Sequence, residues 1–189
     1  MNLLAHSVLS PKNERIRVGN VLADFIGRRE KEGLDPEIQE GIELHQRIDR
    51  FTDNHPVVQR SQAKLVGFQR YANPLIDVFY DHFLTVQWPK DQFIGDYIEE
   101  LYDSIRACHP ILPADCGRIS ETMMEQNWLA GYGSYPGLET NLGRMERRIE
   151  YVRGRKVDLV SAIQILEVRY KEFEADFLEF WPQLVVEVS

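Results

Sequence analysis

Histidine and aspartate residues recur in one stretch of the sequence at spacings that would place them on one side of a helix. In GIELHQRIDRFTDNHP, residues 41–56, these polar residues are His45, Asp49, Thr52 and Asp53. Steps of three, four and eight residues return to nearly the same side of an α-helix, within about a quarter of its circumference. An imidazole and two carboxylates beside the apolar Ile48 predict a divalent metal site, because unpaired charges are costly next to a core. Alternatively, the carboxylates pair with Arg47 or Arg50, or cap the next helix.

A second pair of potential ligands lies in PLIDVFYDHFLTVQW, residues 74–88. Here His82 borders the apolar side of the predicted helix, and Asp81 lies about 100° further round. Imidazole suits Mn, Fe or Zn, and a carboxylate adds a hard oxygen ligand, so adjacent residues could converge on one ion. The structural alternative is a border histidine that binds a backbone carbonyl.

Two further segments each contribute one residue of the same types. Asp24, in GNVLADF, lies one turn after Asn20 and one turn before Arg28, so an exposed ion pair with Arg28 would also explain it. His6, in NLLAH, stands among apolar residues, where it could simply hold the terminus in place. Four segments nevertheless each carry His or Asp beside apolar residues, which indicates that these side chains share one site. Bundle helices that face one another can project ligands onto a single ion.

The elements that must position these side chains are all predicted to be helices. Apolar residues recur at intervals of three and four, and the alternating runs with Asn-Gly turns that mark hairpins are missing. Asp35-Pro36 and Asn73-Pro74 are caps followed by a proline suited to a first turn. The predicted helices cover 15–29, 36–53, 57–71, 74–87, 91–107, 116–130, 137–152 and 156–180. We therefore expect an all-α, compact bundle of seven or eight helices.

Composition narrows the class of protein. The 189 residues suit a single domain, 1–189, and 43% apolar with 28% charged residues is ordinary globular usage. The net charge of -8 and the pI near 5.2 argue against binding to duplex nucleic acid. No apolar run approaches the ~20 residues that cross a bilayer, which favours a cytoplasmic protein without a membrane partner.

Two local features leave alternatives open. Cys108 and Cys116, in CHPILPADC, could form a disulfide, which a reducing compartment disfavours, and a zinc site with His109 would lack a fourth ligand nearby. Positive charge also concentrates late in the chain, where an acidic partner could dock or where a helix end is merely solvated. The basic residues are Arg144, Arg147, Arg148, Arg153, Arg155 and Lys156.

Several blocks together resemble one family. NLLAH, GNVLADF, GIELHQRIDRFTDNHP, DVFYDHFL, NWLAGY and FWP occur in this order and span nearly the whole chain. They resemble the acyl carrier protein phosphodiesterases, a divergent branch of the HD-type phosphohydrolases. In those helical proteins His and Asp bind a divalent metal, commonly manganese in this branch.

The resemblance implies hydrolysis of the phosphodiester that joins 4'-phosphopantetheine to a serine of holo acyl carrier protein. By position it assigns Mn²⁺ ligation to Asp24, His45, Asp81 and His82, with His6, Asp49 and Asp53 as additional ligands or supporting groups. Asp24 or Asp49 would orient a water, and Arg47 or Arg50 would bind phosphate oxygens. Arg147, Arg148 and Arg153 would contact the protein partner. Relatives often carry a second histidine two places after His6, where this chain has Val8.

Two other functions remain open at this level. An HD-like phosphohydrolase of a small nucleotide or another phosphodiester would need the same fold and metal, because the fold does not fix the substrate. A noncatalytic module that binds acyl carrier protein would need the helices alone.

Overall fold

The computed structural model describes residues 1–189 and contains ten α-helices, five short 3-10 helices and no strand. The α-helices are α1 Leu3–Val8, α2 Glu14–Leu22, α3 Pro36–Asn54, α4 Pro56–Ala63, α5 Ala72–Val86, α6 Ile94–Cys108, α7 Ala114–Glu125, α8 Tyr135–Arg153, α9 Ile163–Val168 and α10 Tyr170–Val188. The 3-10 helices are Ala23–Phe25, Gln69–Tyr71, His109–Ile111, Ala130–Gly133 and Val160–Ala162. The all-α prediction is confirmed, with more helices than the seven or eight expected.

The proline caps set the start of α3 but not that of α5. Asp35 Oδ1 accepts a hydrogen bond from the backbone nitrogen of Glu37 at 3.0 Å, and Pro36 opens α3 as predicted. In contrast, α5 begins at Ala72, so Asn73 lies inside the helix, where its side chain donates to Asp53. Pro74 is still tolerated in this first turn, because its missing N–H would have no partner within the helix.

Several predicted helix ends were wrong. The helix predicted over 15–29 ends at Leu22, and the charged segment that follows contains too few apolar residues to bury a helical face. The one predicted over 57–71 ends at Ala63, ahead of Gly67 at φ 92°. The one predicted over 156–180 is interrupted at Arg169 (φ -111°, ψ 24°), between α9 and α10. The short α1 was not predicted.

The core joins α5 to α10 through aromatic side chains. Phe79 packs edge to face with Phe173 at 5.6 Å between ring centroids, and Tyr80 packs the same way with Phe177 at 5.5 Å. All four are at most 1% exposed, so the aromatic stripe of the last helix belongs to the core, as its spacing indicated. None of the helices combines the length and apolar character needed to cross a bilayer.

Candidate metal centre

Three of the residues singled out in the sequence meet at one point between α1 and α3. His6, His45 and Asp49 each offer a ligand atom, and these atoms lie within 4.8 Å of one another. His45 Nε2 is 3.0 Å from Asp49 Oδ2, and His6 Nε2 is 3.2 Å from Asp49 Oδ1. The two imidazole rings stack, with centroids 4.0 Å apart and planes 16° from parallel. We call these three residues the His-Asp cluster.

Asn20, on α2, orients both imidazoles of the His-Asp cluster. Its backbone carbonyl is 2.8 Å from His45 Nδ1, and its side-chain Oδ1 is 2.8 Å from His6 Nδ1. The Asn20 amide nitrogen donates to the carbonyl of His6 at 2.8 Å and to Ser10 Oγ at 2.9 Å, which fixes Oδ1 as the atom facing His6. Both partners of Nδ1 are acceptors. Each Nδ1 therefore donates a hydrogen bond, which leaves the Nε2 atom of each ring to face Asp49.

The atoms around the two Nε2 positions suit a cation. His45 Nε2 is buried and forms no hydrogen bond. His6 Nε2 faces only oxygen acceptors, namely Asp49 Oδ1 and the Met1 carbonyl oxygen at 3.2 Å. Such a convergence of lone pairs needs a proton or a metal ion between them. Two imidazole nitrogens with carboxylate oxygen form a donor set suited to Mn, Fe or Zn, so these residues fit the predicted ion.

In the absence of an ion, a proton on His45 compensates the carboxylates. Burial lowers the pKa of His45, but the neighbouring carboxylates of Asp49 and Asp24, 3.0 and 3.5 Å from Nε2, outweigh it and raise the pKa to about 9. Burial lowers the pKa of His6 to about 4. Burial also opposes ionisation of Asp49, yet the two histidines hold its pKa well below the usual range. A metal ion must therefore displace the His45 proton when it binds.

Asp24 forms the open side of this site. It lies in the 3-10 turn Ala23–Phe25, with Oδ1 3.5 Å from His45 Nε2 and a side chain that is 73% exposed. The neighbouring His45 imidazole lowers the pKa of Asp24. The ion pair with Arg28, considered as an alternative, does not form, because α2 ends before Asp24. Asp24 is thus an ionised oxygen donor with access to solvent.

Asp81 and His82 do not join the His-Asp cluster. The carboxylate of Asp81 is fully buried and accepts hydrogen bonds from the backbone nitrogens of Leu4 at 2.8 Å and Ala5 at 3.3 Å. Burial raises the pKa of Asp81 to about 7. His82 Nδ1 donates to the carbonyl oxygen of Tyr132 at 2.8 Å, as the structural alternative expected. These contacts give no support to Asp81 and His82 as metal ligands. Instead, Asp81 holds the start of α1, which carries His6.

Two other predicted site residues also lie apart from the cluster. Arg47 donates to the carbonyl oxygen of Val188 at 2.9 Å and lines a separate 710 Å³ cleft with Trp181. It lies two residues from Asp49, so the helix turns it about 200° away. Asp53 is exposed and accepts a hydrogen bond from Asn73 Nδ2 at 2.9 Å. Neither contact brings the side chain to the His-Asp cluster.

The sequence analysis missed two groups next to the cluster. The α-amino group of Met1 lies 2.9 Å from Asp77 Oδ1 and 3.3 Å from Asp49 Oδ1. Burial raises the pKa of Asp77 to about 6, whereas the pKa of the amine rises to about 11 because nearby carboxylates outweigh its burial. Asp77 stands one helical turn before Asp81, and that spacing was a usable signal. No pattern in the sequence indicated the amine.

A cavity of about 450 Å³ is lined by Met1 and Asp24, two residues that contact the cluster. The other residues that bound it are Asn2, Leu3, Phe25, Pro74, Asp77, Val78, Ile119, Trp128, Tyr132, Asn141, Arg144, Met145, Arg148, Tyr151 and Val152. Arg148 Nη2 donates to the carbonyl oxygen of Asp24 at 3.0 Å, and its guanidinium lies 4.9 Å from the centre of the Phe25 ring. The cavity therefore lies between the surroundings of the His-Asp cluster and the basic residues of α8.

Known proteins of one family resemble this chain over nearly its whole length. The family described as "Acyl carrier protein phosphodiesterase" matches residues 1–184. The chain is 30% identical to an acyl carrier protein phosphodiesterase of Yersinia enterocolitica, covering 98% of this chain and 96% of that protein. It is 28% identical to the Escherichia coli protein of the same name, covering 100% and 98% respectively. This chain belongs to the acyl carrier protein phosphodiesterase family. No solved structure matches it.

Within this member of the acyl carrier protein phosphodiesterase family, the cysteines lie outside the site. Cys108 and Cys116 are free and buried, and burial raises the pKa of both thiols, that of Cys116 to about 12. His109 pairs with Glu121 at 3.0 Å. The disulfide considered from the sequence does not form, and nothing here resembles the zinc site weighed there.

Proposed function

We propose that this protein is a metal-dependent phosphodiesterase that removes 4'-phosphopantetheine from holo acyl carrier protein. Hydrolysis would cleave the phosphodiester at the carrier serine and leave the apo carrier. The family and the names of the full-length relatives support the substrate class. The observation that carries the chemistry is the buried His45 Nε2, which has no hydrogen bond and faces Asp49 beside His6.

The residues that would hold Mn²⁺ are His6, His45 and Asp49, with Asp24 as a further oxygen donor. A bound divalent ion supplies an acidified water and neutralises charge on a phosphate oxygen. Asn20 fixes both imidazoles through their Nδ1 protons, so that each Nε2 stays aimed at the same point. This set differs from the one that the resemblance implied, since Asp81 and His82 make other contacts.

Asp24 is the residue best suited to orient the attacking water. Its side chain reaches solvent, while the carboxylate of Asp49 is held by His45, His6 and the Met1 amine. The lowered pKa keeps Asp24 ionised, so it accepts a hydrogen bond from the water rather than donating one. Its position in a turn of the backbone also places it between the cluster and the 450 Å³ cavity.

The partner would dock on α8 beside this opening. Arg147, Arg148 and Arg153 are exposed on that helix, and Arg148 touches the Asp24 turn directly. Tyr151 and Val152, on the same helix, are 91% and 69% exposed. A positive face with exposed apolar residues suits an acidic protein surface, even though the whole chain carries a net charge of -8.

The test is to incubate the purified protein with holo acyl carrier protein and manganese and to weigh the intact carrier by mass spectrometry. We expect the carrier to lose its prosthetic group, and a chelator to abolish the loss until manganese is restored. A carrier of unchanged mass at saturating manganese would contradict the proposal. If small nucleotide diesters are hydrolysed instead, the HD-like alternative replaces it.

A further inference from the structure

We infer that the 450 Å³ cavity beside the His-Asp cluster binds the pantetheine arm of the substrate, with the Tyr132 hydroxyl as its hydrogen-bonding group. This inference rests on the proposed function and assigns a place to the part of the substrate that does not react. The arm is an uncharged, flexible chain with amide groups, a dimethyl branch and a terminal thiol. Such a ligand needs apolar walls and a few polar groups that fix its orientation.

The position of the cavity suits a group attached to the reacting phosphate. Met1 and Asp24 belong both to its wall and to the surroundings of the cluster. A phosphate held at the cluster would therefore have one ester substituent beside the cavity. The carrier protein would then lie on the side of α8, where the exposed basic residues are.

The walls of the cavity are mainly apolar. Ile119 from α7, Met145 from α8 and Val78 from α5 face it, together with Phe25 and Trp128. Its volume falls within the range of about 300–1,000 Å³ typical of small-molecule sites. The cations Arg144 and Arg148 lie against the Trp128 and Phe25 rings at 5.1 and 4.9 Å. Of the other charged groups on the wall, the Met1 amine and Asp77 pair with each other at 2.9 Å, and Asp24 lies on the side of the cluster, so the apolar part of the wall suits an uncharged chain.

Tyr132 is the polar group without a partner. Its side chain lines the cavity and is 2% exposed, yet its hydroxyl forms no hydrogen bond within the protein. Burial raises the pKa of Tyr132 well above its usual value, so the hydroxyl stays protonated and can donate to an amide carbonyl. A hydroxyl on the cavity wall that has no partner within the protein is available to a ligand as donor and acceptor.

The backbone that carries Tyr132 is held from two sides. His82 Nδ1 donates to the Tyr132 carbonyl at 2.8 Å. The turn Ala130–Gly133 also lies against the start of α8, so closely that a Cβ on Gly137 would overlap the backbone of Gly131. His82 is thus a positioning residue for the cavity wall, which gives this histidine a role outside the metal site.

The first experiment measures binding of pantetheine itself by calorimetry, without metal or carrier protein. Ile119→Trp should fill the cavity and weaken binding about tenfold or more, since the ligand would have to displace a buried ring. Met124→Trp, a half-buried position on the same helix outside the cavity, is the matched control.

Tyr132→Phe should weaken binding about fivefold, which corresponds to the loss of one net hydrogen bond. Its control is Tyr102→Phe, which removes a buried hydroxyl that pairs with Asn127.

The second experiment compares kcat/KM for holo acyl carrier protein with that for bis(p-nitrophenyl) phosphate, a diester without the arm. The ratio of the carrier value to the diester value should fall in Ile119→Trp and Tyr132→Phe. It should stay unchanged in both controls. The inference is overturned if pantetheine does not bind the wild-type protein, or if the cavity variants and their controls behave alike. If pantetheine binds with the expected pattern but the carrier keeps its prosthetic group, the cavity assignment stands and the proposed function fails.

Discussion

A Cβ atom on Gly41 would lie 2.7 Å from the backbone nitrogen of Asn20, closer than real side chains approach. The backbones of α2 and α3 are therefore in direct contact at Gly41. One turn later along α3, His45 Nδ1 donates a hydrogen bond to the Asn20 carbonyl at 2.8 Å. The absence of a side chain at Gly41 thus sets the distance across which Asn20 orients the His45 imidazole.

Gly41→Ala should lower the free energy of unfolding by about 1–3 kcal/mol, because the added methyl group would overlap backbone atoms of α2 where the two helices touch. Gly143→Ala is the control. It lies within α8, and the nearest atom to its added Cβ would be Arg147 Nη1 at 3.6 Å, an ordinary contact. That change should stabilise the protein by about 0.5–1 kcal/mol through backbone entropy. Urea denaturation measures both, and equal stability of the two variants would contradict the packing argument.

His45→Ala should lower manganese affinity by about 100-fold or more and abolish hydrolysis while the protein stays folded. The substitution also removes the hydrogen bond from His45 Nδ1 to the Asn20 carbonyl, so we expect a stability cost of about 1–3 kcal/mol, short of unfolding. His109→Ala, which alters a histidine paired with Glu121 away from the cluster, should retain both metal and rate. Metal titration, melting temperature and turnover are measured together. Retention of manganese by His45→Ala would show that His45 is not a ligand.

Asp81→Ala should destabilise the protein by about 1–3 kcal/mol, because it leaves the buried backbone nitrogens of Leu4 and Ala5 without an acceptor. Activity should fall with it, since α1 carries His6. Asp81→Asn keeps one acceptor oxygen and should recover part of the stability. A different pattern would restore Asp81 as a metal ligand, as the family resemblance implied. In that case Asp81→Ala would melt at the wild-type temperature and yet lose its manganese.

Replacing Arg147, Arg148 and Arg153 together by Ala should raise KM for holo acyl carrier protein and flatten its dependence on salt concentration, because local charge steers an acidic partner. A matched triple replacement of Arg15, Arg106 and Arg169 removes the same charge from surface ion pairs elsewhere. It should change KM much less. Indistinguishable salt slopes for the two triple variants would assign the α8 cluster to a solvated helix end.

Asp176 should make stability depend on pH. It is 3% exposed and accepts hydrogen bonds from Ser61 Oγ at 2.5 Å and Arg60 Nε at 2.7 Å, and it pairs with Lys64. Burial opposes ionisation, but these partners outweigh it and lower the pKa of Asp176. A lowered folded-state pKa means that the stabilisation is complete above the unfolded pKa of about 3.9 and is lost as pH falls through the folded value.

Asp176→Asn should therefore cost about 2–3 kcal/mol at pH 7, and its difference from wild type should shrink below about pH 4. Asp115→Asn is the control, because that carboxylate is 71% exposed and pairs only with Arg118 at the surface. It should change stability by less than about 1 kcal/mol. Thermal melts at a series of pH values decide this. A constant difference between Asp176→Asn and wild type down to pH 2 would exclude the ionised carboxylate as the cause.

The sequence predictions that were confirmed rest on regular helical periodicity. On α3, the spacing of His45 and Asp49 and the Asp35-Pro36 cap were enough to place both side chains on one face. Asp81 and His82 show the limit of that reasoning, because adjacent residues on a helix point in different directions. Which of them reaches the site depends on what packs around α5, and spacing along one helix does not contain that information.

The partners of the predicted residues were harder to obtain from sequence. Asn20 looks like an ordinary polar residue of α2, and its role depends on a backbone carbonyl that every residue possesses. The six residues of α1 are too few for a helical period to show, so the docking of His6 could not be read from its neighbours. Both contacts are set by tertiary packing.

The hydrogen bond between Leu4 and Asp81 spans 77 positions of the chain, and this separation has a consequence for synthesis. A helix as short as α1 is not stable by itself in water, so it must wait for α5 before it can form. While the chain is being made, Leu3 and Leu4 leave the ribosome long before the surface that will bury them. Within the His-Asp cluster, His6 is therefore translated before His45 and Asp49, yet the helix that carries it is among the last elements to be assembled.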